Sequence, residues 1–264
     1  EAAARKALSI KTKEPWAQHA LAHVMLGMGR VKEGVAFLGE AQKTWVDLNS
    51  FMYTHNWWHK ALFHISQGDE QAVFDAYDNH VWGVEPDYSQ DQINAVSLLA
   101  RMELAGMDVG NRWEDVANHM KGRVRDTIQP FLTLQYLYGL ARAEREEADE
   151  LMRAVEEKAA RSTAFDRVAW QEVALPVARG VLAHARGDYV AAARWLGLAN
   201  PRMTEIGGSH AQRDLFGQLL LDAHLKIGNW AVAHQMLEMR RTWDPDGVPV
   251  NRALALVREK LGAA

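Results

Sequence analysis

Cysteine is absent from this 264-residue chain, and its absence excludes several kinds of site. Without thiols the protein forms neither disulfides nor Cys-ligated zinc or iron–sulfur centres. No apolar run approaches about 18 residues, the length that a membrane-spanning helix needs. We therefore expect a globular protein of a reducing compartment, the cytoplasm, with no membrane among its partners.

The chain also lacks a large excess of positive or negative charge. The formal net charge is −4, and no long run of one sign occurs. Because a nucleic-acid-binding surface needs clustered Lys and Arg, we do not expect nucleic acid as a partner. Alternation typical of strands is nearly absent, whereas apolar residues recur at helical spacing along most of the chain. The sequence therefore predicts an all-α protein.

Five pairs of predicted helices, each joined by a short turn, cover most of the sequence. The turns are Gly29-Arg30, Gly68-Asp69, Glu144-Arg145, Gly187-Asp188 and Gly228-Asn229. A small residue that would let two helices approach closely follows four of them: Gly34, Ala148, Ala192 and Ala233. This pattern is typical of tetratricopeptide-type hairpins, although the turns lie about 39 to 44 residues apart instead of about 34. We predict a right-handed α–α superhelix, a single TPR-like solenoid of about five hairpins over residues 1–264.

Two regions depart from the repeat. Residues 83–127 are predicted as an atypical helical segment between the second and third hairpins. Residues 1–10 are predicted as a helix that lacks an N-cap, which we interpret as the remnant of an incomplete repeat. We therefore expect this chain to be the C-terminal part of a longer protein.

The most informative motif is His55-Asn56-Trp57-Trp58-His59. Residues four apart share one face of a helix, and His19 and His23 repeat that spacing in the preceding hairpin. In both helices the apolar stripe lies on a different face from the histidines. We therefore expect all four imidazoles to lie off the core, on the concave wall of the solenoid, with Trp58 beside them.

Clustered imidazoles suit a divalent metal such as zinc or iron, because imidazole nitrogen is a good ligand for both. They also suit proton transfer, since an unperturbed histidine titrates near pH 6.5. The zincin motif is excluded, because Ala20 and Asn56 stand where that motif has Glu. A groove that binds protein through packed histidines is the alternative without a metal.

A third motif precedes the first helix of the fifth hairpin. Ser209 and Gln212 fit a capping box at the start of that helix. The free backbone N–H groups there, together with His210 and Arg213, would also suit a carboxylate or other anion. Asp214 could orient an imidazole.

Five segments spread along the chain match the pattern of a known family. They are residues Pro15-Trp16-Ala17-Gln18-His19-Ala20-Leu21-Ala22-His23-Val24, His55-Asn56-Trp57-Trp58-His59, Gly106-Met107-Asp108-Val109-Gly110-Asn111-Arg112-Trp113, Ala174-Leu175-Pro176-Val177-Ala178-Arg179-Gly180 and Gly207-Gly208-Ser209-His210-Ala211-Gln212-Arg213-Asp214. On these residues the chain resembles the tetratricopeptide repeat protein 38 family, which includes StaR-like proteins of antibiotic gene clusters. The resemblance implies an α-solenoid and no particular reaction. The family pattern has a histidine where this chain has Gln135, so one candidate metal ligand is missing.

Two functions from different classes fit these observations, and a purely structural or assembly role is the third alternative. The first is a binding module for a peptide, a protein or a small molecule. Its groove would be lined by His19, His23, His55, Trp58, His59, His210 and Arg213. The second is an enzyme in the same groove, with the four paired histidines as metal ligands or acid–base groups. Its catalytic candidates are His55, His59, His210 and Asp214, and the sequence does not decide whether the protein is an enzyme.

Overall fold

Helices make up every regular element of the computed structural model, which describes residues 1–262. They are α1 Ala2–Ile10, α2 Pro15–Gly27, α3 Val31–Ala41, α4 Ser50–Gln67, α5 Glu70–Ala76, α6 Ser89–Leu104, α7 Arg112–Met120, α8 Pro130–Arg142, α9 Glu147–Ala160, α10 Leu175–Ala185, α11 Tyr189–Ala199, α12 His210–Lys226, α13 Trp230–Arg241 and α14 Val248–Leu261. Two π-helical turns, Tyr77–Val81 and Val168–Ala174, extend α5 and precede α10. The predicted all-α class is confirmed.

The predicted turns fall where the helices end. Gly68, for example, closes α4 with φ 71°, a left-handed conformation that glycine adopts without strain. The turn of the third hairpin has no glycine, and Glu144 adopts φ 54° there instead. The helix predicted over residues 1–10 is α1, and the atypical segment 83–127 contains α6 and α7.

The sequence predicts that the first helix of the second hairpin begins at Thr54, whereas α4 begins four residues earlier, at Ser50. The side chain of Asn49 accepts a hydrogen bond from the backbone N–H of Met52 at 3.0 Å, so Asn49 is the N-cap. The earlier start adds a full turn to the helix that carries His55 and His59. This extra turn also brings Phe51 onto the helix.

The small residues that follow the turns lie where neighbouring helices meet. A Cβ atom added at Gly34 would collide with the ring of Phe63, so α3 approaches α4 as closely as only glycine allows. Ala148, Ala192 and Ala233 are fully buried at the corresponding positions of later hairpins. The prediction that these positions permit close helix packing is confirmed.

Packing divides the chain into two compact units, with the divisions inside α6 and α13. The first unit contains residues 1–98 and the chain from residue 234 onward, and the second contains residues 99–233. The core of the first unit includes Leu21, Met25, Leu38 and Phe63. The predicted single solenoid domain over residues 1–264 stays a prediction.

No helix within residues 1–262 combines the length and the apolar character that crossing a bilayer requires.

Candidate metal centre

Four histidines from two helices converge in the first unit. His19 and His23 lie on α2, His55 and His59 lie on α4, and α2 packs against α4. One ring nitrogen from each lies within 4.8 Å of those of the other three. The prediction that two neighbouring hairpins bring their four imidazoles together is confirmed. We call this group the histidine cluster.

The spacing within the histidine cluster is close to that of a metal site. Ring centroids lie 4.5 Å apart for His19 and His23, 4.4 Å for His23 and His59, and 4.8 Å for His55 and His59. The Nε2 atoms of His19 and His23 are 3.1 Å apart. Ligand nitrogens of a tetrahedral zinc lie about 3.4 Å apart, because Zn–N bonds are about 2.0–2.1 Å long. One edge therefore already has ligand spacing, and shifts of about 1 Å in the other side chains would complete the set.

Burial corrects one prediction about the histidine cluster. His55 is 4% exposed, and His59 and Trp58 are 0% exposed, so the prediction that these three face an open groove is wrong. Helix α4 is covered by α2, α3, α5 and α14, whereas the prediction assumed that one face stays open. His19 and His23 are half-buried, so the cluster meets solvent along α2.

The sequence predicts Trp57 in the apolar stripe of α4 and Trp58 between that stripe and the histidines. Trp57 is half-buried and packs against the core of the first unit, as predicted. It also stacks on His80, with ring centroids 3.6 Å apart and planes 9° apart. Trp58 is the fully buried member and stacks on His55 at 5.2 Å and 7°. Trp58 therefore holds a ring of the histidine cluster in place and does not line a groove.

Burial in the histidine cluster favours the neutral form of His19 and His55. Burial is the main cause that lowers the pKa of His19 to about 3, and the neighbouring His55 and His23 lower it further. Burial also lowers the pKa of His55 to about 4, against a hydrogen bond to Asn94 that raises it. A neutral imidazole keeps a nitrogen lone pair for a metal ion. At pH 7 each of these two residues therefore keeps one nitrogen lone pair, and Nε2 of His19 shares a hydrogen bond with Nε2 of His23.

A hydrogen bond fixes the tautomer of His55. Its Nδ1 lies 3.2 Å from Oδ1 of Asn94, which also accepts a bond from Nε2 of Gln90 at 3.0 Å. Because an amide oxygen only accepts, Nδ1 of His55 carries the proton and Nε2 keeps the lone pair. Metal-binding histidines are commonly held in this way by a bond to their second nitrogen.

A buried carboxylate completes this network. Asp91 is 0% exposed and accepts bonds from Ser50 Oγ at 2.5 Å, Thr54 Oγ1 at 2.9 Å and the N–H of Glu85 at 3.0 Å. Burial nevertheless raises its pKa. Thr54 Oγ1 also accepts from Nδ2 of Asn94, so a continuous chain of bonds joins Asp91 to His55. Asp91 thus places an acidic group near a cluster whose candidate ligands are all uncharged.

Sequence reasoning missed Asp91 and Asn94. They lie three residues apart on α6, and Ser97 follows after three more, so the three form a polar stripe. Such a stripe normally indicates a solvated helix face, whereas all three residues are buried. The regular spacing of these polar residues was the signal available in the sequence. Only the packing of α6 shows that the stripe is buried and not solvated.

The remaining predicted site residues lie on α12 of the second unit, outside the histidine cluster. The capping box of Ser209 and Gln212 is confirmed. His210 is exposed, and the guanidinium of Arg213 donates to the carbonyls of Gly207 and Gly208. The carboxylate of Asp214 accepts from Gln218 at 2.8 Å. Their roles in anion or substrate binding stay predictions.

The second unit also contains a polar cavity of about 210 Å³. Arg142 and Glu103 on its wall form two hydrogen bonds, of 3.1 and 2.6 Å. His184 Nε2 lies 3.0 Å from a carboxylate oxygen of Asp222. These polar groups are paired with each other, whereas the histidine cluster has no carboxylate among its members.

The resemblance to a known family is a similarity of sequence motifs alone. Gln135 is buried on α8, and its Oε1 has no hydrogen-bond partner among residues 1–262. No family model matches the chain, so the resemblance to the tetratricopeptide repeat protein 38 family stays a prediction.

Proposed function

We propose that this protein binds one divalent transition-metal ion through His19, His23, His55 and His59. The observation that carries the proposal is the convergence of four ring nitrogens within 4.8 Å. Imidazole nitrogens suit zinc, iron, cobalt, nickel and copper, whereas magnesium and calcium prefer oxygen ligands. Zinc or iron(II) is the proposed native ion.

The proposed metal site lies within a fold that we take to be a TPR-like right-handed superhelix. Glycine turns, buried small residues and the repeated helical hairpins support this fold, as does the resemblance to the tetratricopeptide repeat protein 38 family. The cluster lies on the first helices of two consecutive hairpins, α2 and α4. In such folds the first helices line the concave wall, where ligands bind. A peptide or small molecule would therefore reach the metal from the side of α2.

The half-buried His19 and His23 support a working centre over a purely structural one. A metal ion that meets solvent on one side can hold a water molecule or a substrate oxygen and act as a Lewis acid. A metal-dependent enzyme is therefore the proposed use of the site. The second candidate is a metal-free module that binds its ligand at the same place, and the exposed Trp16 beside His19 favours it.

Metal analysis of untagged protein tests this function. We expect about one equivalent of zinc or iron per chain by mass spectrometry. After the metal is removed, added Co²⁺ should give the visible absorption of a nitrogen-ligated ion. The variant His19→Gln/His23→Gln should lose both signals and keep its helical circular dichroism, because these two residues are half-buried and leave α4 intact.

The matched control is His119→Ala/His210→Ala, which removes two exposed histidines from outside the cluster. This control should bind metal as the original protein does. Absence of metal from the purified protein, together with no Co²⁺ absorption, would contradict the proposal. A peptide or metabolite that then co-purifies with the protein would favour the metal-free binding module.

A further inference from the structure

Two aromatic rings flank the histidine cluster next to its half-exposed member His19. The ring of Trp16 lies 5.9 Å from that of His19, and the ring of Phe51 lies 5.8 Å from that of His55. Trp16 and Phe51 also contact each other, with ring centroids 5.7 Å apart. We call this pair the aromatic shelf.

The positions of Trp16 and Phe51 along their helices bring both rings next to the histidine cluster. Trp16 precedes His19 by three residues, and Phe51 precedes His55 by four, so each ring shares a helix face with a candidate ligand. The same arrangement therefore occurs on α2 and α4. Because α2 and α4 pack together, the two rings contact each other and lie against His19 and His55.

Exposure distinguishes Trp16 from a core residue. Its side chain is 55% exposed, and Phe51 is half-buried. A single exposed apolar side chain is ordinary on a protein surface. Here, however, the exposed ring lies in direct contact with a candidate metal ligand. A ligand that covers it would gain apolar burial at the same time as a bond to the metal.

We propose that the metal centre binds small molecules in which an anionic oxygen donor is attached to an aromatic ring. This inference rests on the proposed metal site. Four imidazoles, which bind a metal as neutral ligands, would leave the charge of a divalent ion uncompensated, which favours an anionic oxygen such as a carboxylate or hydroxamate as a fifth ligand on the solvent side of α2. The aromatic shelf then receives the ring, since paired aromatic rings stabilise each other beyond simple burial.

Two hydroxamates that differ in their apolar part test this substrate class. Co²⁺-loaded protein is titrated with benzohydroxamate and with acetohydroxamate, and the visible absorption of the metal reports binding. We expect benzohydroxamate to bind about five- to tenfold more tightly, corresponding to about 1–1.4 kcal/mol of ring contact. Because the two probes also differ in acidity, the decisive quantity is the change in this preference between variants.

Trp16→Ala and Phe51→Ala should each reduce the preference to below about twofold, and Trp16→Phe should retain most of it. The matched control is Phe165→Ala, which removes a ring that is 98% exposed in the second unit and should leave the preference unchanged.

Failure of this inference is distinguishable from failure of the metal site. Absent Co²⁺ absorption in the original protein would overturn the proposed function. Normal Co²⁺ absorption with a preference that survives both alanine substitutions would overturn the aromatic shelf alone. Loss of Co²⁺ binding in Trp16→Ala would also overturn it, because the ring would then only support His19.

Discussion

At the scale of single residues, burial disfavours both of the ions that compete for the imidazoles. It disfavours a proton, because a buried imidazolium loses its solvation by water, and the lowered pKa values of His19 and His55 express this. A divalent metal would be disfavoured for the same reason unless a nearby negative charge compensates it. Asp91 supplies that charge from outside the ligand set, through Thr54 and Asn94.

Asp91→Asn should therefore weaken metal binding without removing a ligand. The substitution keeps the size of the side chain and removes its charge, and we expect a loss of affinity of about tenfold or more. Competition with a chromophoric chelator measures the effect. Asp246→Asn, which neutralises an exposed aspartate in the same unit, is the control and should bind metal normally. Equal affinity in the two variants would exclude Asp91 from the metal site.

At the scale of helices, the close approach of α3 to α4 can be tested with two glycines of one helix. Replacing a mid-helix glycine with alanine usually stabilises a protein by about 0.5–1 kcal/mol. Gly34→Ala should instead destabilise it by about 1–3 kcal/mol, because the added methyl group collides with the buried ring of Phe63. Gly39→Ala, whose Cβ would meet nothing within 4 Å, should stabilise it. Urea unfolding measures both, and a gain in stability in Gly34→Ala would contradict the tight contact.

The helices also show how much of the candidate site can be predicted from the sequence. Helix spacing and repeated hairpins were enough to predict that His19, His23, His55 and His59 come together. The burial of His55 was not predictable, because His55 contacts Asn94 of α6, which lies 39 residues further along the chain. The buried role of Asp91 depends in the same way on where α6 packs. Local periodicity identifies a helix face, but the identity of the covering element is a long-range property.

At the scale of the whole molecule, the metal would join α2 to α4 within one of two compact units. Binding to the folded state stabilises it, by about 2.7 kcal/mol at a metal concentration one hundred times Kd. We expect added Zn²⁺ to slow hydrogen exchange in α2 and α4, because opening these helices would release the ion. Exchange in α10 and α11 of the second unit should change least. Mass spectrometry of exchanged peptides measures this, and equal slowing in both units would contradict a local site.

The histidine cluster offers a metal four ligands that carry no charge, in a largely buried position. Such surroundings favour the less charged member of a redox pair, since each added positive charge costs more where water is excluded. An iron ion held there would have a higher reduction potential than one bound by carboxylates. It would rest in the ferrous state and resist oxidation, and a copper ion would be held preferentially as Cu(I).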